Sequence, residues 1–520
     1  MIRKAILLIF LIPIYSHAQT TWSTDVANIL FNNCTSCHHA GGIAPFSLIT
    51  YTDAFQNAGD IEDVILSGEM PPWPPDPQYS RYAHERLLTQ QEKTAILDWV
   101  QQGAQAGDTT LAPTAPVYSG LAELTNPDLT SKMPNYTVST VNDLYRCFVI
   151  PSGLATDKYI TEIEALPGDR SIVHHILIFE DTSNVPAQLD AADPGPGYTN
   201  FGGTGSNTSK LIGVWVPGQS VNRLPAGLGI KLNANTNIIL QIHYPGGTIG
   251  RVDSTEIRFN LSATPLREVY IDPPLNHFQL DNGPLFIPAN TTKTFNAHFT
   301  VPLDLSVLAV GPHMHNIGRS ITSYGVTPSQ DTIPFIHIPE WHFHWQGTYS
   351  FQRVLHLPAG TTLYSSAFYD NTTANHHNPN NPPQDVFLGE ATTDEMMLVY
   401  FAYALYQTGD ENIIQDSSIL LSNEDVFFND LVKTAQLYNP YPNPAKDFCT
   451  VDYLLPERTR VTLKLSDLQG KIVWSTNESD LSAGYHSVRI PLVNFSQGIY
   501  TISLEGTDFT RTKKLLVGQQ

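Results

Sequence analysis

Two histidines one residue apart, His313 and His315, end a mostly apolar run at residues 305–310 and constrain the fold more than any other feature. Side chains of an extended strand alternate between its two faces, so both imidazoles point the same way and can bind one metal ion. A single His-x-His pair is weak support for a metal site, because histidines on strands are more often surface or core residues. Its weight therefore depends on the rest of the chain.

Three further histidines stand in apolar, strand-like runs. His174 and His175 are adjacent within one run, and His243 ends another. A buried strand does not tolerate unpaired imidazoles. Downstream, Met396 immediately precedes a third apolar strand. The chain thus offers three imidazoles for one ion, and two imidazoles with a thioether for a second ion.

Around these residues the chain resembles the copper type II, ascorbate-dependent monooxygenases, the family of peptidylglycine alpha-hydroxylating monooxygenase and dopamine beta-monooxygenase. The resemblance implies two copper ions facing each other across a cleft between two antiparallel, jelly-roll-like β-sandwich domains. It also implies the ligand sets: His174, His175 and His243 for an electron-storing copper, and His313, His315 and Met396 for the copper that binds O2. The matching segments occur in this order: 173–175, 241–244, 313–315 and 394–396.

The two ligand sets suit these two roles. A thioether favours Cu(I), and two imidazoles with one weak sulfur ligand leave an open position for dioxygen. An all-imidazole site tolerates both oxidation states and suits an electron store. Monooxygenation needs two electrons from outside the substrate, and two one-electron copper ions can deliver them. Ascorbate or another donor is expected to supply these electrons.

Three more positions are interpreted through the same resemblance. Peptide-amidating members carry an arginine where this chain has Gly311, so a glycine-extended peptide is not expected as the substrate. Tyr400 matches a tyrosine of the family's substrate wall. Gln241 matches a glutamine whose amide can orient a ligand ring. The expected substrate is a small molecule or another peptide with an activated C–H bond.

A second His-x-His pair, His342 and His344, lies among aromatic residues. The alternate positions are Trp341, Phe343 and Trp345, so one face is expected to be aromatic core and the imidazoles to occupy the other. We interpret these two histidines as residues of a cleft rim or of the solvent-exposed surface rather than as metal ligands.

The N-terminal part of the chain carries Cys34-x-x-Cys37-His38, the attachment motif of haem c. Its thiols would form the thioether bonds, and its imidazole would be an axial iron ligand. Met70, in a proline-rich loop, is the expected second axial ligand. The alternative is a redox Cys-x-x-Cys, but the thioredoxin-like context that it requires is not visible. The segment resembles a class I cytochrome c domain over about residues 20–107.

Composition and the two ends of the chain indicate export. A basic start, an apolar core and small residues predict a signal peptide at residues 1–18. The net charge of −21 argues against nucleic acid and anionic membranes as partners. No membrane span is expected. Of the four cysteines, Cys147 and Cys449 are expected in different domains, so the chain should be poor in disulfides.

The final strands resemble a type IX secretion C-terminal sorting domain, which implies the secretion machinery as a partner and an extracellular or cell-surface location. A carbohydrate-binding or adhesive sandwich is the alternative. The predicted fold class is therefore multidomain and mainly β, with one small helical domain. The expected segments are a signal peptide (1–18), cytochrome c domain (19–107), linker (108–139), two copper sandwiches (140–264 and 265–410), linker (411–435) and sorting sandwich (436–520).

Together these features predict a secreted haem and copper monooxygenase. The first alternative is an exported haem and copper protein that transfers electrons or binds copper without catalysis. The second is a surface protein whose sandwiches bind a polymer. Copper content and reductant-dependent oxygen consumption distinguish these alternatives.

Overall fold

The computed structural model describes residues 19–118, 122–416, 435–438, 440, 445–446, 448–455, 458–476, 479–481, 484–493 and 495–518. The expected signal peptide lies outside these residues. The chain divides into a helical unit, Met1–Trp73 with Arg86–Gly120, and a β unit, Pro74–Glu85 with Leu121–Gln520. No helix in the described ranges is long and apolar enough to cross a membrane.

The helical unit has a core that includes Leu30, Ile96 and Trp99. A capping box starts the last helix: the Thr89 side chain and the Glu92 carboxylate each accept a hydrogen bond from the other residue's backbone N–H. The helices are α1 (Ala27–Asn33), α2 (Tyr51–Gln56), α3 (Ala58–Ser67) and α4 (Gln90–Gln101), with a π turn at Trp22–Val26 and a 3₁₀ turn at Thr109–Leu111.

The first sandwich of the β unit places its two sheets face to face around one apolar core. It begins within the segment expected to be a linker, because β1 and β2 already pair with β12 and β11. Its elements are β1 (Leu129–Lys132), β2 (Tyr136–Thr137), β3 (Leu144–Pro151), β4 (Lys158–Leu166), β5 (His175–Asp181), α5 (Val185–Ala192), β6 (Tyr198–Thr199), β7 (Lys210–Trp215), β8 (Asn222–Arg223), β9 (Leu228–Leu232), β10 (Asn237–Tyr244), β11 (Val252–Asp253), β12 (Glu256–Ser262) and β13 (Arg267–Glu268). One sheet has the order β1-β12-β4-β9-β13, and the other has the order β6-β3-β10-β5-β7.

The second sandwich contains two antiparallel four-stranded sheets. Buried and half-buried residues alternate along all of β21, as expected for a strand between the core and the outer surface. Its strands are β14 (Tyr270–Asn276), β15 (Phe286–Ile287), β16 (Thr291–Thr300), β17 (Leu305–His313), β18 (Gly318–Val326), β19 (Thr332–Ile338), β20 (Tyr349–Leu357), β21 (Thr362–Asn371), β22 (Val386–Phe387) and β23 (Leu398–Leu405). The sheet orders are β14-β23-β17-β20 and β16-β21-β18-β19, with β15 paired to β22.

The segment Pro74–Glu85 packs on the second sandwich, although the cytochrome domain was expected to run unbroken from 19 to 107. The Tyr82 hydroxyl donates to the Phe335 carbonyl at 2.6 Å, and Tyr79 donates to the carbonyl of Ser323 at 3.2 Å. Both tyrosine side chains are buried. The segment therefore forms part of the core of the β unit.

The C-terminal sandwich has its own apolar core. The expected linker before it, 411–435, is described only at its ends, where Gln415 donates to the carbonyls of Leu308 and Phe351. The four cysteines are free. The strands are β24 (Gln436–Leu437), β25 (Phe448–Leu455), β26 (Thr459–Ser466), β27 (Ile472–Ser475), β28 (Ser479–Leu481), β29 (Gly484–Pro491), β30 (Gly498–Gly506) and β31 (Thr510–Val517).

Candidate metal centres

The first centre lies where β5 begins and β10 ends. His175 and His243 face each other across these antiparallel strands, so their side chains share one face of the sheet. His174 directly precedes β5, and its backbone N–H donates to the carbonyl of His243 at 2.9 Å. The strand pairing thus brings together two parts of the chain that are distant in sequence.

The three rings turn their Nδ1 atoms toward one another. The Nδ1 of His174 lies 3.1 Å from that of His175 and 3.2 Å from that of His243. Burial holds the pKa values of His174 and His175 well below the ordinary histidine value, so both imidazoles are neutral and keep a lone pair. One ligand atom from each ring lies within 4.8 Å of the others. This donor set fits a copper ion bound by three Nδ1 atoms.

The environment of His243 fixes the plane of its ring. Tyr145 faces it from β3 and stacks on it, with 4.3 Å between centroids and 4° between planes. Phe201 packs on the outer side of Tyr145 at 5.3 Å. Gln241, which is expected to orient a ligand ring, donates from its side-chain amide to the carbonyls of Asn200 and Gly203. Its amide therefore holds the loop that covers Tyr145.

The second centre lies at the end of β17. The rings of His313 and His315 stand 5.1 Å apart and almost perpendicular. His313 Nδ1 bonds to the Oε1 atom of Gln346, and His315 Nδ1 bonds to the carbonyl of Asp394 at 3.1 Å. Because both acceptors require a protonated Nδ1, each ring keeps Nε2 for a metal ion. Burial lowers the pKa of His313 to about 4 and that of His315 to about 3, which keeps both rings neutral.

Glu395 joins Met396 to the turn that carries His315. This carboxylate is fully buried and accepts backbone hydrogen bonds from His315, Ile317, Gly318 and Met396. Burial raises its pKa to about 8 against the effect of these four donors. Glu395 lies within the matching segment 394–396, but the resemblance assigns no role to it. A charged residue just before the expected ligand methionine was the available signal.

Residues 341–345 have one side formed by aromatic core residues and another formed by histidines. Trp341 and Phe343 are buried, while His344 is exposed with its ring 5.5 Å from that of His174. Residues Phe343–Trp345 form a 3₁₀ turn rather than a strand. This arrangement agrees with the interpretation of His344 as a residue of the cleft rim.

Tyr400 faces Gly311 across β23 and β17, so it shares a face of the sheet with His313. It lines a cleft of about 660 Å³ with Leu177 and Phe179 of the first sandwich. A Cβ atom on Gly311 would meet only ordinary contacts at 3.5–3.8 Å. The absence of a side chain at position 311 is therefore not imposed by crowding.

In the helical unit, the Cys-x-x-Cys-His motif forms a turn directly after α1. The backbone N–H groups of Cys37 and His38 both donate to the carbonyl of Cys34. His38 Nδ1 lies 3.2 Å from the Phe46 carbonyl, which leaves Nε2 available as an axial ligand. Met70 follows α3, is half-buried, and donates its N–H to Val64. The donor types fit haem c.

Comparison with known families assigns three parts of the β unit. Residues 129–247 match the N-terminal domain of the copper type II ascorbate-dependent monooxygenases, and residues 289–419 match the C-terminal domain. Residues 439–518 match the secretion system C-terminal sorting domain. None of these matches covers the Cys-x-x-Cys-His motif. The chain carries both domains of a copper monooxygenase family of oxidoreductases, and its sorting domain indicates export to the cell surface or beyond.

No curated protein sequence matches the chain. Among solved structures, Faecalibacterium prausnitzii beta-glucuronidase aligns at 11% identity over 50% of this chain and 41% of that chain, with a TM-score of 0.13. Bacteroides uniformis beta-glucuronidase 3 aligns at 13% identity over 47% and 27%, with a TM-score of 0.13. Salmonella alpha-2-macroglobulin reacted with methylamine aligns at 11% over 76% and 24%, with a TM-score of 0.14. This chain thus spans less than half of each aligned chain, and the superpositions are too poor to indicate a shared fold.

Proposed function

We propose, from the two matched monooxygenase domains, that the protein is a secreted copper-dependent monooxygenase that hydroxylates an activated C–H bond with O2. The observation that carries this proposal is the convergence of three Nδ1 atoms from His174, His175 and His243. In the overall reaction one oxygen atom enters the substrate, and two electrons with two protons reduce the other to water. Ascorbate or another donor supplies the electrons.

The two copper ions would store single electrons and bind dioxygen. His174, His175 and His243 would hold the electron-storing ion, and His313, His315 and Met396 would hold the other. At the second centre, Gln346 and Asp394 fix the tautomers of the two rings so that Nε2 faces the metal position. Glu395 supports the third ligand by anchoring the backbone of Met396.

The substrate would lie in the cleft that Tyr400 lines. Tyr400 shares the sheet face of His313, which supports its role as part of the substrate wall. Gly311 provides no cation beside that position. The arginine of the peptide-amidating members is thus missing, which disfavours a glycine-extended peptide and leaves a small molecule or another peptide as the proposed substrate.

The helical unit is proposed to carry haem c and to pass single electrons to the copper ions. Cys34 and Cys37 would form the thioethers, while His38 and Met70 would ligate the iron. The hydrogen bond from His38 Nδ1 to Phe46 supports this assignment because it directs Nε2 outward. Replacing Met70 with alanine should slow copper reduction by an external donor, while Glu69→Gln beside it should not.

The test is a metal count together with an oxygen electrode. Protein matured with haem should contain iron and copper in a ratio of about one to two, and His315→Ala should remove one copper. Oxygen consumption should require both a reductant and an oxidisable substrate from a panel of small molecules and peptides. Copper binding without such consumption would identify a non-catalytic electron-transfer protein instead.

A further inference from the structure

Asp143 lies between the two candidate metal centres although it belongs to neither ligand set. It stands just before β3, and its Oδ1 atom accepts the backbone N–H of Gly246 at 2.7 Å. The same Oδ1 atom is 3.8 Å from His243 Nε2. Its Oδ2 atom accepts a hydrogen bond from the Thr392 hydroxyl of the second sandwich. One carboxylate therefore approaches a ligand of the first centre and holds a loop of the other sandwich.

The His243 ring has a specific need for such a neighbour. Its Nδ1 faces the metal position, so Nε2 is the ring nitrogen left to carry a proton when Nδ1 is a ligand. This Nε2 atom is buried and has no hydrogen-bond partner among the described residues. The Asp143 carboxylate at 3.8 Å is too distant for a hydrogen bond, and a ring shift of about 1 Å would bring it within range. Carboxylates in this position orient metal-binding histidines and increase their basicity.

The loop that Thr392 belongs to carries one expected ligand of the second centre, Met396, and groups that support His315. The carbonyl of Thr392 accepts the Asn316 side-chain N–H at 2.8 Å, next to His315. Two residues further along, Asp394 accepts His315 Nδ1, and Met396 follows. A displacement of Thr392 would therefore move both the support of His315 and the thioether.

We propose that Asp143 is a positioning residue that couples the two copper centres, holding the His243 ring on one side and the Met396 loop through Thr392 on the other. This inference rests on the proposed function. Asp143 would thus support both centres without being a ligand of either. Loss of the carboxylate should weaken the first centre and loosen the second, whereas loss of the Thr392 hydroxyl should affect the second alone.

The test compares Asp143→Ala, Asp143→Asn, Thr392→Val and the matched control Thr392→Ser in the full-length protein. Copper affinity of each centre is measured by competition with a chelator, and hydrogen exchange of residues 389–396 is followed with and without copper. Asp143→Ala should lower affinity at the first centre at least tenfold and speed exchange of the loop several-fold. Thr392→Val should speed loop exchange and leave the first centre within twofold. Thr392→Ser should behave as the wild type.

The double variant Asp143→Ala with Thr392→Val decides the coupling. Its loop exchange should be no faster than that of Asp143→Ala alone, because both changes break the same connection. Additive effects, or unchanged loop exchange in Asp143→Ala, would overturn the proposal. Asp143→Asn keeps the shape of the side chain. Comparison with this variant shows whether a defect of Asp143→Ala comes from misfolding. Wild-type protein that binds no copper would refute the proposed function, whereas the exchange comparison without copper still decides the link between Asp143 and the loop.

Discussion

Phe343 of the second sandwich stacks on His174 of the first, with 4.9 Å between ring centroids and 14° between planes. The same phenyl ring meets His315 edge-on at 5.9 Å. One buried side chain thus contacts a ligand of each candidate centre. It therefore links the two sandwiches at the point where these two rings approach each other.

Replacing Phe343 with alanine should uncouple oxygen reduction from hydroxylation. The sandwiches would lose an aromatic contact at the centres, so the second electron would arrive late and more oxygen would leave as hydrogen peroxide. We expect the ratio of product to peroxide to fall several-fold with copper content unchanged. Phe343→Leu, which keeps most of the apolar volume, is the control and should lie closer to the wild type. Equal coupling in the alanine variant would contradict this role.

Gly311→Arg should redirect substrate preference toward carboxylates. The position shares the sheet face of His313 and accepts a Cβ atom without a clash, so we expect an arginine there to bring a positive charge to that face of the sheet. A charge-assisted bond to a carboxylate contributes about 1.5–3 kcal/mol, or roughly tenfold to a hundredfold in kcat/KM. Steady-state kinetics on matched substrates with a carboxylate or an amide measure the effect. Gly311→Gln adds a shorter polar side chain without charge and should show no such preference.

Glu395→Ala should destabilise the second centre selectively. It would leave four backbone N–H groups without their carboxylate acceptor, and each unsatisfied buried donor costs about 1–3 kcal/mol. We expect a lower melting temperature and loss of about one copper per chain, with the three-histidine centre retained. Glu340→Ala at an exposed position is the control. A full complement of copper in Glu395→Ala would show that Met396 and His315 are held by other contacts.

The pH dependence of stability should contain a contribution from His337, which lies far from both ligand sets in the sequence. Its Nδ1 bonds with Thr322 at 2.8 Å, and burial lowers its pKa to about 3. An unfolded histidine titrates near about 6.5, so unfolding takes up a proton between these values and stability falls as pH falls. Between pH 7.5 and 5 this residue should account for a loss on the order of 2 kcal/mol.

Urea unfolding of the copper-loaded protein measures this contribution. His337→Asn should lose less stability than the wild type over the same pH interval. Other buried histidines act alike in both proteins, so the difference between the two slopes isolates His337. The exposed His376→Asn should follow the wild type. Parallel pH profiles for wild type and His337→Asn would contradict the assignment.

The grouping of His174, His175 and His243 was expected from the resemblance to the copper monooxygenases, and the pairing of β5 with β10 brings these residues together. At the second centre, the choice of ring nitrogen did not follow from the sequence. It depends on Gln346 and Asp394, which lie 33 and 79 residues from the rings that they hold. Contacts at such separation arise from the sandwich topology and leave no local pattern. The role of Glu395 could not be predicted for the same reason. Its four backbone donors come together only after the turn at residues 315–318 has formed.

For the segment after Met70, the sequence offers only its local proline content as a guide to structure. Prolines predicted an extended loop, but nothing periodic indicated that Tyr79 and Tyr82 would enter the core of another unit. Their acceptors are carbonyls of β18 and β19, 244 and 253 residues away. Burial of two aromatic rings outweighs the cost of ordering a loop, and that balance appears only when the receiving surface is known.

The placement of Pro74–Glu85 determines how this polypeptide can be divided. A truncated protein that begins after residue 107 would lack the proposed electron-transfer domain. It would also lack Tyr79 and Tyr82, whose buried side chains pack in the β unit. Such a fragment would expose the surface that Tyr79 and Tyr82 cover. We expect it to aggregate or to have a lower melting temperature, for reasons unrelated to haem. To test the loss of the helical unit alone, a truncated protein should keep these twelve residues and join them to the rest of the β unit by a short flexible linker.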